Sequence, residues 1–335
     1  MNVSPSIGAV VIGRNEGQRL GQALESLRQC VSHLVYVDSN SSDGSRELAG
    51  EKGAHVVHLT SGPYTPSRGR QIGLEELTRL QPQIQFVQFV DGDCVLYPDW
   101  LDKAHTFLEQ RSDAAAVFGR RREQRYGDSL FSRIIDVDWD HPAGEATNFG
   151  GDSLVRVEAL RQAGGWSINT INAEDIDLSF RIRALGWKIF RLSEAMTLHD
   201  IRMTRFSEYW RRAVRSGYGF AEVGLRYRHG PGKLLLRRML SGVLYAVFLP
   251  LLGLIGALYF WPLLALVALL YVRMLVILAR RCRRRGGSLG TALAYSGFNL
   301  VCKWANLLGS SRYFLDCLRG RKAPSDHLIV YRHPG

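Results

Sequence analysis

Short apolar runs alternate with stretches of helical periodicity through the first third of the chain. Ile7–Gly13, His33–Asp38, Ala54–Leu59 and Ile84–Val90 read as strands. Between them, Glu16–Gln29 places Leu20, Leu24 and Leu27 on one helical face. A second helix is predicted from about Asp43 with Ser42 as its N-cap, and Ser67–Leu80 forms a third. Strand–helix alternation of this kind predicts an α/β fold, a mostly parallel sheet with helices on both faces.

Beyond Asp99 the pattern is less regular. Ala114–Phe118 reads as an added strand, and Ala159–Ala163 closes a short helix before Gly164-Gly165-Trp166. Glu174–Leu185 carries a helical apolar pattern and stops at Gly186, a common residue after a helix end. Asp136, Asp138 and Asp140, with Trp139 and His141, read as the lining of a binding cleft or as an exposed loop, of which the loop is the better reading.

Met239–Leu278 is almost wholly apolar, interrupted by Arg273. A single span needs about 20 apolar residues, so this run predicts a helical hairpin that turns at Tyr259–Pro262. Leu289–Leu318 is apolar-rich but carries Lys303 and Arg312, which leaves an interfacial amphipathic helix and a third span both open. The expected organisation is an α/β domain over 1–230, a transmembrane hairpin over 231–285, and a membrane-associated segment with a tail over 286–335.

Charge sharpens this picture. The chain of 335 residues has a formal net charge of +12, and arginine clusters flank the apolar runs beyond Arg202. No aromatics are interleaved with them on a polar surface, which argues for membrane and against nucleic acid. Arginines at both ends of the hairpin place those ends in the cytosol. Ile7–Ile12 is too short for a signal sequence, so the polar part is expected to stay at the cytosolic face of the inner membrane. The five cysteines have no C-x-x-C spacing, consistent with a reducing compartment.

The candidate chemistry starts at Phe86-Val-Gln-Phe-Val-Asp91-Gly92-Asp93, a strand-like run ending in two acids. D-x-D also occurs at Asp136/Asp138, Asp138/Asp140 and Asp175/Asp177, but Asp91/Asp93 alone follows an uninterrupted β-type run. In open α/β sheets that strand edge faces the ligand crevice. Paired oxygen ligands there suit Mg²⁺ or Mn²⁺, which take remaining contacts from water and substrate phosphate.

The order of motifs resembles the family 2 glycosyltransferases, which have the GT-A fold and transfer sugars from nucleotide diphosphate donors with inversion. The resemblance covers about two-thirds of the chain, Ile7 to Gly219, and rests on several segments. Val10-Val-Ile-Gly-Arg-Asn15-Glu16 looks like the opening strand, and Val35-Tyr-Val-Asp38 with Asp43-Gly44-Ser45 like the segment after the second. Gly69-Arg70-Gln71-Ile72-Gly73 is similar to an A-R-N-x-G segment, with Gln71 where Asn is usual. Asp91-Gly92-Asp93 matches the metal-binding motif, and Gly164-Gly165-Trp166 followed by Glu174-Asp175 looks like the acceptor-side segments.

The resemblance implies roles. Asn15, Glu16, Asp38, Arg70, Asp91 and Gly92 would contact the nucleotide sugar, Asp38 through the nucleobase and Arg70 through phosphate oxygens. Asp93, assisted by Asp91, would hold the divalent ion, with His199 as a third ligand. Asp175 would be the base that deprotonates the acceptor, and Glu174 would position acceptor or loop. No Q-x-x-R-W motif occurs, so single-sugar transfer is expected rather than polymerisation. The expected reaction moves a sugar from a UDP- or GDP-sugar to a hydroxyl of a lipid-linked saccharide or glycolipid. Transfer to a polyprenyl phosphate is the alternative, and a non-catalytic membrane-associated scaffold is a third reading.

Overall fold

The computed structural model describes residues 4–321; the tail expected over 322–335 lies outside them. The chain forms two compact units, one of residues 4–124 and 139–201, the other of residues 125–138 and 202–321.

The first unit is a nine-stranded sheet. It opens with β1 (Ser4–Gly13), α1 (Gln18–Arg28), β2 (Val31–Asp38), α2 (Ser45–Glu51), β3 (His55–His58), α3 (Pro66–Leu80) and β4 (Phe86–Asp91). These strands are parallel in the order β3-β2-β1-β4, so the chain reverses its direction of growth at β1. The crevice at the carboxyl ends of β1 and β4 is therefore the topological switch point.

Alternation along the strands feeds a core on each face. Ala9, Val11 and Tyr36 pack with Leu20, Leu24 and Leu27 of α1, whereas Val10, Ile12, Val35 and Val37 pack with Leu74 and Leu77 of α3. Helix α3 starts where Thr65 caps Arg68 N and Pro66 fills the first turn. Ser42 does not cap α2 as expected; Gly44 holds that position in a left-handed conformation, and Ser42 N instead donates to Asn15 Oδ1.

The remainder of the sheet is mixed. After β5 (Cys94–Leu96) and α4 (Trp100–Gln110) come β6 (Ala114–Glu123), β7 (Gly144–Ala146), β8 (Ser153–Arg156), α6 (Val157–Gln162), α7 (Glu174–Ala184) and β9 (Lys188–His199); α5 (Leu130–Asp138), between β6 and β7, belongs to the second unit. Strand β8 enters antiparallel between β4 and β6, and β9 runs parallel to β6 with His199 opposite Glu123.

The second unit is helical. It contains α5, α8 (Phe206–Arg226), α9 (Lys233–Val243), α10 (Leu249–Tyr259), α11 (Trp261–Arg284) and α12 (Leu289–Leu318), with a π-helical stretch over Leu244–Phe248 joining α9 to α10. Two assignments differ from the sequence reading. Asp136 and Asp138 lie on α5 rather than in a loop, and α8 falls with the apolar helices instead of within a domain ending at 230.

The reason is packing. Ser310 Oγ on α12 donates to Gly217 O on α8 at 2.9 Å, and glycines at 217 and 309 bring the two backbones together. On α5, Phe131 meets Tyr209 and Phe298, while Asp138 Oδ1 accepts from Tyr295 at 2.8 Å. Among the described residues two helical stretches, Lys233–Tyr259 and Trp261–Arg284, are long and apolar enough to cross a membrane. They break at Phe260, within the expected turn.

Candidate active site

The site is built at the carboxyl ends of β1 and β4 in the sheet unit. Asp91 pairs in register with Ile12, and Gly92 N donates to Ile12 O at 2.8 Å. A Cβ at Gly92 would lie 3.1 Å from both Glu16 Cγ and Ile12 O, so a side chain in the turn between the two acids would have to push its neighbours back by a few tenths of an ångström.

Asp91 is held by two guanidinium groups. Arg70 Nη2 donates to Oδ1 at 2.6 Å and Arg121 Nη2 to Oδ2 at 2.9 Å. Burial alone would raise this carboxyl, but the two arginines outweigh it and hold it below the usual carboxylate range. Arg121 is also bound to Asp152, which accepts Asp91 N at 3.0 Å and the Thr197 hydroxyl at 2.9 Å. Arg121, Asp152 and Thr197 escaped the sequence reading.

Arg70, expected to meet phosphate oxygens, is 3 % exposed and bound to the protein's own carboxylates. Its Nη1 donates to Glu174 Oε1 at 2.8 Å, so one side chain bridges the D-x-D acid and the acid opening α7. Its guanidinium lies 5.1 Å from the Trp166 ring centroid. Gly151 leaves space for it; a Cβ there would fall 2.2 Å from Arg70 Nη2.

Asp93 points toward His199. Its Oδ2 is 3.3 Å from Nε2, while Nδ1 is 3.2 Å from Glu123 Oε2. Glu123 Oε1 accepts Ile201 N at 3.2 Å, and the Trp139 ring meets the imidazole edge-on at 4.7 Å between centroids. Burial and Arg121 push the imidazole pKa down, but the Asp93 and Glu123 hydrogen bonds prevail and raise it. Asp93 itself is lowered: burial opposes ionisation, and the His199 contact overcomes it.

A divalent ion fits part of this set. Asp93 supplies a hard oxygen and His199 Nε2 a nitrogen fixed in direction by a carboxylate on the opposite ring atom. Both Asp91 oxygens already accept from arginine. Cys94 lies within the same group, but burial raises its thiol well above the ordinary value, and a protonated thiol is a poor ligand for Mg²⁺ or Mn²⁺.

The β1–α1 loop closes another side. Arg19 pairs with Glu16 at 2.6 Å and donates to Asp200 O at 2.9 Å. Burial and then Asp93 raise the Glu16 carboxyl, with Arg19 opposing them. Asn15 is exposed at φ 57° and accepts Ser42 N, tying this loop to the one after β2. Asp38 is fully buried, with Oδ1 accepting from the Tyr36 hydroxyl at 3.1 Å and Oδ2 from Ser41 N at 2.9 Å; in this structure it organises its own loop.

On the remaining side, Gln71 docks the Gly164-Gly165-Trp166 turn by accepting Trp166 N at 2.7 Å. Glu174 and Asp175 then open α7 after Ala173, whose φ of 61° is costly for a residue with a Cβ. Burial, followed by repulsion from Glu174, pushes the Asp175 carboxyl up to about 7. A carboxylate tuned to neutrality is suited to accept a proton in general-base catalysis. Its helix neighbour Asp177 instead pairs with Arg181 at 2.9 Å.

The chain also resembles known proteins in sequence and fold. The model of the family described as "Glycosyl transferase family 2" matches residues 9–161, and that of "Glycosyl transferase family group 2" matches residues 86–279, more than half of the chain. Probable glucomannan 4-beta-mannosyltransferase 9 of Oryza sativa subsp. japonica is 29% identical over 130 residues, 36% of this chain and 24% of that protein. The chain thus spans about a quarter of that relative's length. Succinoglycan biosynthesis protein ExoA of Rhizobium meliloti (strain 1021) is 24% identical over 246 residues, 68% of this chain and 71% of its own. The mannosyltransferase PcManGT from Pyrobaculum calidifontis, solved with GDP-Man and Mn2+, superposes with a TM-score of 0.58 at 18% identity, covering 94% of this chain and 90% of that one. That likeness is one of fold.

Proposed function

This chain belongs to the family 2 glycosyltransferases, and from that premise we propose that it is a membrane-anchored, inverting enzyme that moves one sugar from a nucleoside-diphosphate sugar to a hydroxyl of a lipid-linked saccharide. The observation that carries the hydroxyl acceptor is Asp175, a carboxyl held near neutrality at the start of α7. A phosphate acceptor is already ionised and needs no such base.

In this reading the donor lies across the β1–β4 crevice. Asp93 and His199 would hold Mg²⁺ or Mn²⁺, and the ion, when bound, supplies electrophilic stabilisation of the leaving diphosphate. Arg121 and Arg70 keep Asp91 ionised and fixed, so the site carries ordered charge before substrate arrives. Asn15 and Glu16 line the donor loop, Gly92 permits the close turn, and Asp38 shapes the loop that meets the nucleobase. Asp175 takes the proton of the attacking hydroxyl. Glu174, tied to Arg70, holds the start of α7 so that Asp175 faces the acceptor.

The mannosyltransferases among the rice relatives and the Pyrobaculum structure make GDP-mannose the first donor to test, with UDP-sugars next. The hairpin would anchor the enzyme at the inner membrane with the sheet unit in the cytosol, the placement its flanking arginines favour.

Thermal unfolding of the full chain in detergent, with GDP or UDP and with or without Mn²⁺, tests the donor site. A metal-dependent stabilisation by one nucleotide, lost in Asp93→Ala, is the expected result. No stabilisation by either nucleotide would end the enzymatic reading.

A further inference from the structure

The chain passes between its two units three times, after residues 124, 138 and 201. On the sheet side all three crossings lead to one side chain, the proposed metal ligand His199. At the first, Glu123 Oε2 lies 3.2 Å from His199 Nδ1, and Gln124 N donates to His199 O at 2.8 Å. At the second, Trp139 meets the imidazole edge-on at 4.7 Å between centroids. At the third, Ile201 N donates to Glu123 Oε1 at 3.2 Å and Asp200 N to Asp93 O at 3.0 Å.

The second crossing is built differently from the other two. Glu123 and His199 face each other in the register of β6 and β9, so the strands themselves hold that contact. Trp139 lies in the turn between α5 and β7, outside the strand ladders, with its side chain half-buried. Its ring touches a second residue besides His199: the Arg121 guanidinium carbon lies 5.0 Å from the ring centroid. Those two neighbours face the two acids of Asp91-Gly92-Asp93. Arg121 Nη2 donates to Asp91 Oδ2 at 2.9 Å, and His199 Nε2 lies 3.3 Å from Asp93 Oδ2. One indole therefore bears on both acids at one remove.

What fixes Trp139 is the residue before it. Asp138 ends α5 in the helical unit and is held there from two directions. Its Oδ1 accepts from the Tyr295 hydroxyl of α12 at 2.8 Å. Its backbone O and that of Val137 each accept from Arg285 Nη1 at 3.3 Å, and Arg285 closes α11. Those carbonyls belong to the last turn of α5, where a helix leaves its own acceptors unsatisfied. Tyr295 is buried and Arg285 half-buried, so packed side chains, not water, complete this helix end.

We infer that Trp139 is a positioning residue for the metal site, set by the latch that Tyr295 and Arg285 place on Asp138. The helical unit holds Asp138, the next peptide bond holds Trp139, and the indole holds His199 and Arg121 in their working orientation. This rests on the metal ligands proposed above. The coupling is reciprocal: loosening the latch weakens the hold on the ion, and an ion at Asp93 and His199 steadies the latch.

The test is Mn²⁺ binding to the full chain in detergent, followed by the paramagnetic signal of the free ion, with Asp93→Ala as the variant that identifies the site. Trp139→Ala should lower the affinity about 10-fold, the low end of losses for groups that orient a metal ligand. Trp139→Phe should keep most of it. Tyr295→Phe removes a single hydroxyl from the latch and should cost about 3-fold. In the Trp139→Ala background the same change should cost nothing further. Sugar transfer by each variant should approach wild type at saturating Mn²⁺, which general loosening of the fold would not allow. The unfolding temperature without ligand is the folding control, and Trp139→Leu takes the place of an alanine variant that fails it. A folded Trp139 variant with wild-type Mn²⁺ affinity would overturn the inference and leave the metal ligands standing. A Tyr295→Phe loss that is absent, or that persists in full without Trp139, would overturn the latch. A wild type that binds no Mn²⁺ would remove the metal reading and this inference with it.

Discussion

Arg70 and Lys303 are both long cations in packed surroundings, yet Arg70 sits between two carboxylates while Lys303 sits beside two further cations. In the sheet unit, Arg70 and Arg121 share Asp91, while Glu174 accepts from Arg70 Nη1 and Asp152 from Arg121 Nε. That network fixes side chains before any ligand arrives, and it leaves the buried Arg70 Nε without a hydrogen-bond partner. In the helical unit Lys303 is half-buried and the two arginines beside it are exposed, so water rather than a carboxylate balances the charge. A paired network holds side chains in place; exposed cations are held by solvent alone.

The comparison can be broken at its strongest point by removing the proposed metal ligand. Asp93→Ala should lower sugar transfer by about a thousandfold or more and erase Mn²⁺-dependent nucleotide stabilisation, measured by product formation and thermal shift. Asp175→Asn should cost about 10² to 10⁴ in transfer to a hydroxyl and only slightly slow transfer to a polyprenyl phosphate. Wild-type activity should rise with pH through about 7 as Asp175 ionises, a limb that the Asn variant lacks.

Stability carries the opposite sign. The folded-state carboxyl of Asp175 titrates near 7 rather than at the ordinary 3.8, so its contribution is fully present below about pH 4. That contribution is lost as pH rises through 7. Asp175→Asn should therefore unfold at a higher temperature than wild type at pH 8, with the gain fading toward pH 4.

A sharper contrast comes from making the same change in each unit. Arg70→Met leaves Asp91 and Glu174 without a shared partner and should cost about 3 kcal/mol in unfolding free energy. Lys303→Met removes an unmatched, partly buried charge and should cost nothing or stabilise slightly, as read by denaturant titration. A milder effect on the site is expected at Glu123→Gln, which loosens the His199 ring. Mn²⁺ affinity, followed by the paramagnetic signal of the free ion, should fall about 10- to 100-fold with the fold intact.

What the chain revealed by inspection was local. The runs ending at Gly13, Asp38 and Asp91, the helix opening at Glu174 and the apolar hairpin all follow from periodicity within a dozen or so neighbouring positions. The partners that complete the site follow from register between distant strands. Glu123 meets His199 because β6 and β9 run side by side with those residues opposite each other, and Asp152 reaches Asp91 because β8 enters beside β4. Neither Glu123 nor Asp152 stands in a pattern that marks it.

The same holds for α5, where Asp136 and Asp138 read as exposed when taken alone. Only the approach of Tyr295, more than a hundred residues away, makes Asp138 a packed helix end. Helix α8 has enough charge to read as part of a polar domain, and its stripe of small residues acquires meaning only beside α12. Arg70 and Glu174 were both visible as site candidates, but the pairing between them was not.

The seam between α8 and α12 sets a rule for how this protein can change. A methyl group at Gly217 would sit 2.1 Å from Asn306 O, and one at Gly309 would sit 1.9 Å from Val214 O. Both obstacles are backbone, which cannot rotate aside, so each site rejects even alanine while the helices stay where they are. Because the obstruction is mutual, a change on one helix finds no remedy in a smaller side chain on the other. Directed evolution of this enzyme should leave both positions untouched while the exposed surfaces a few residues away drift freely.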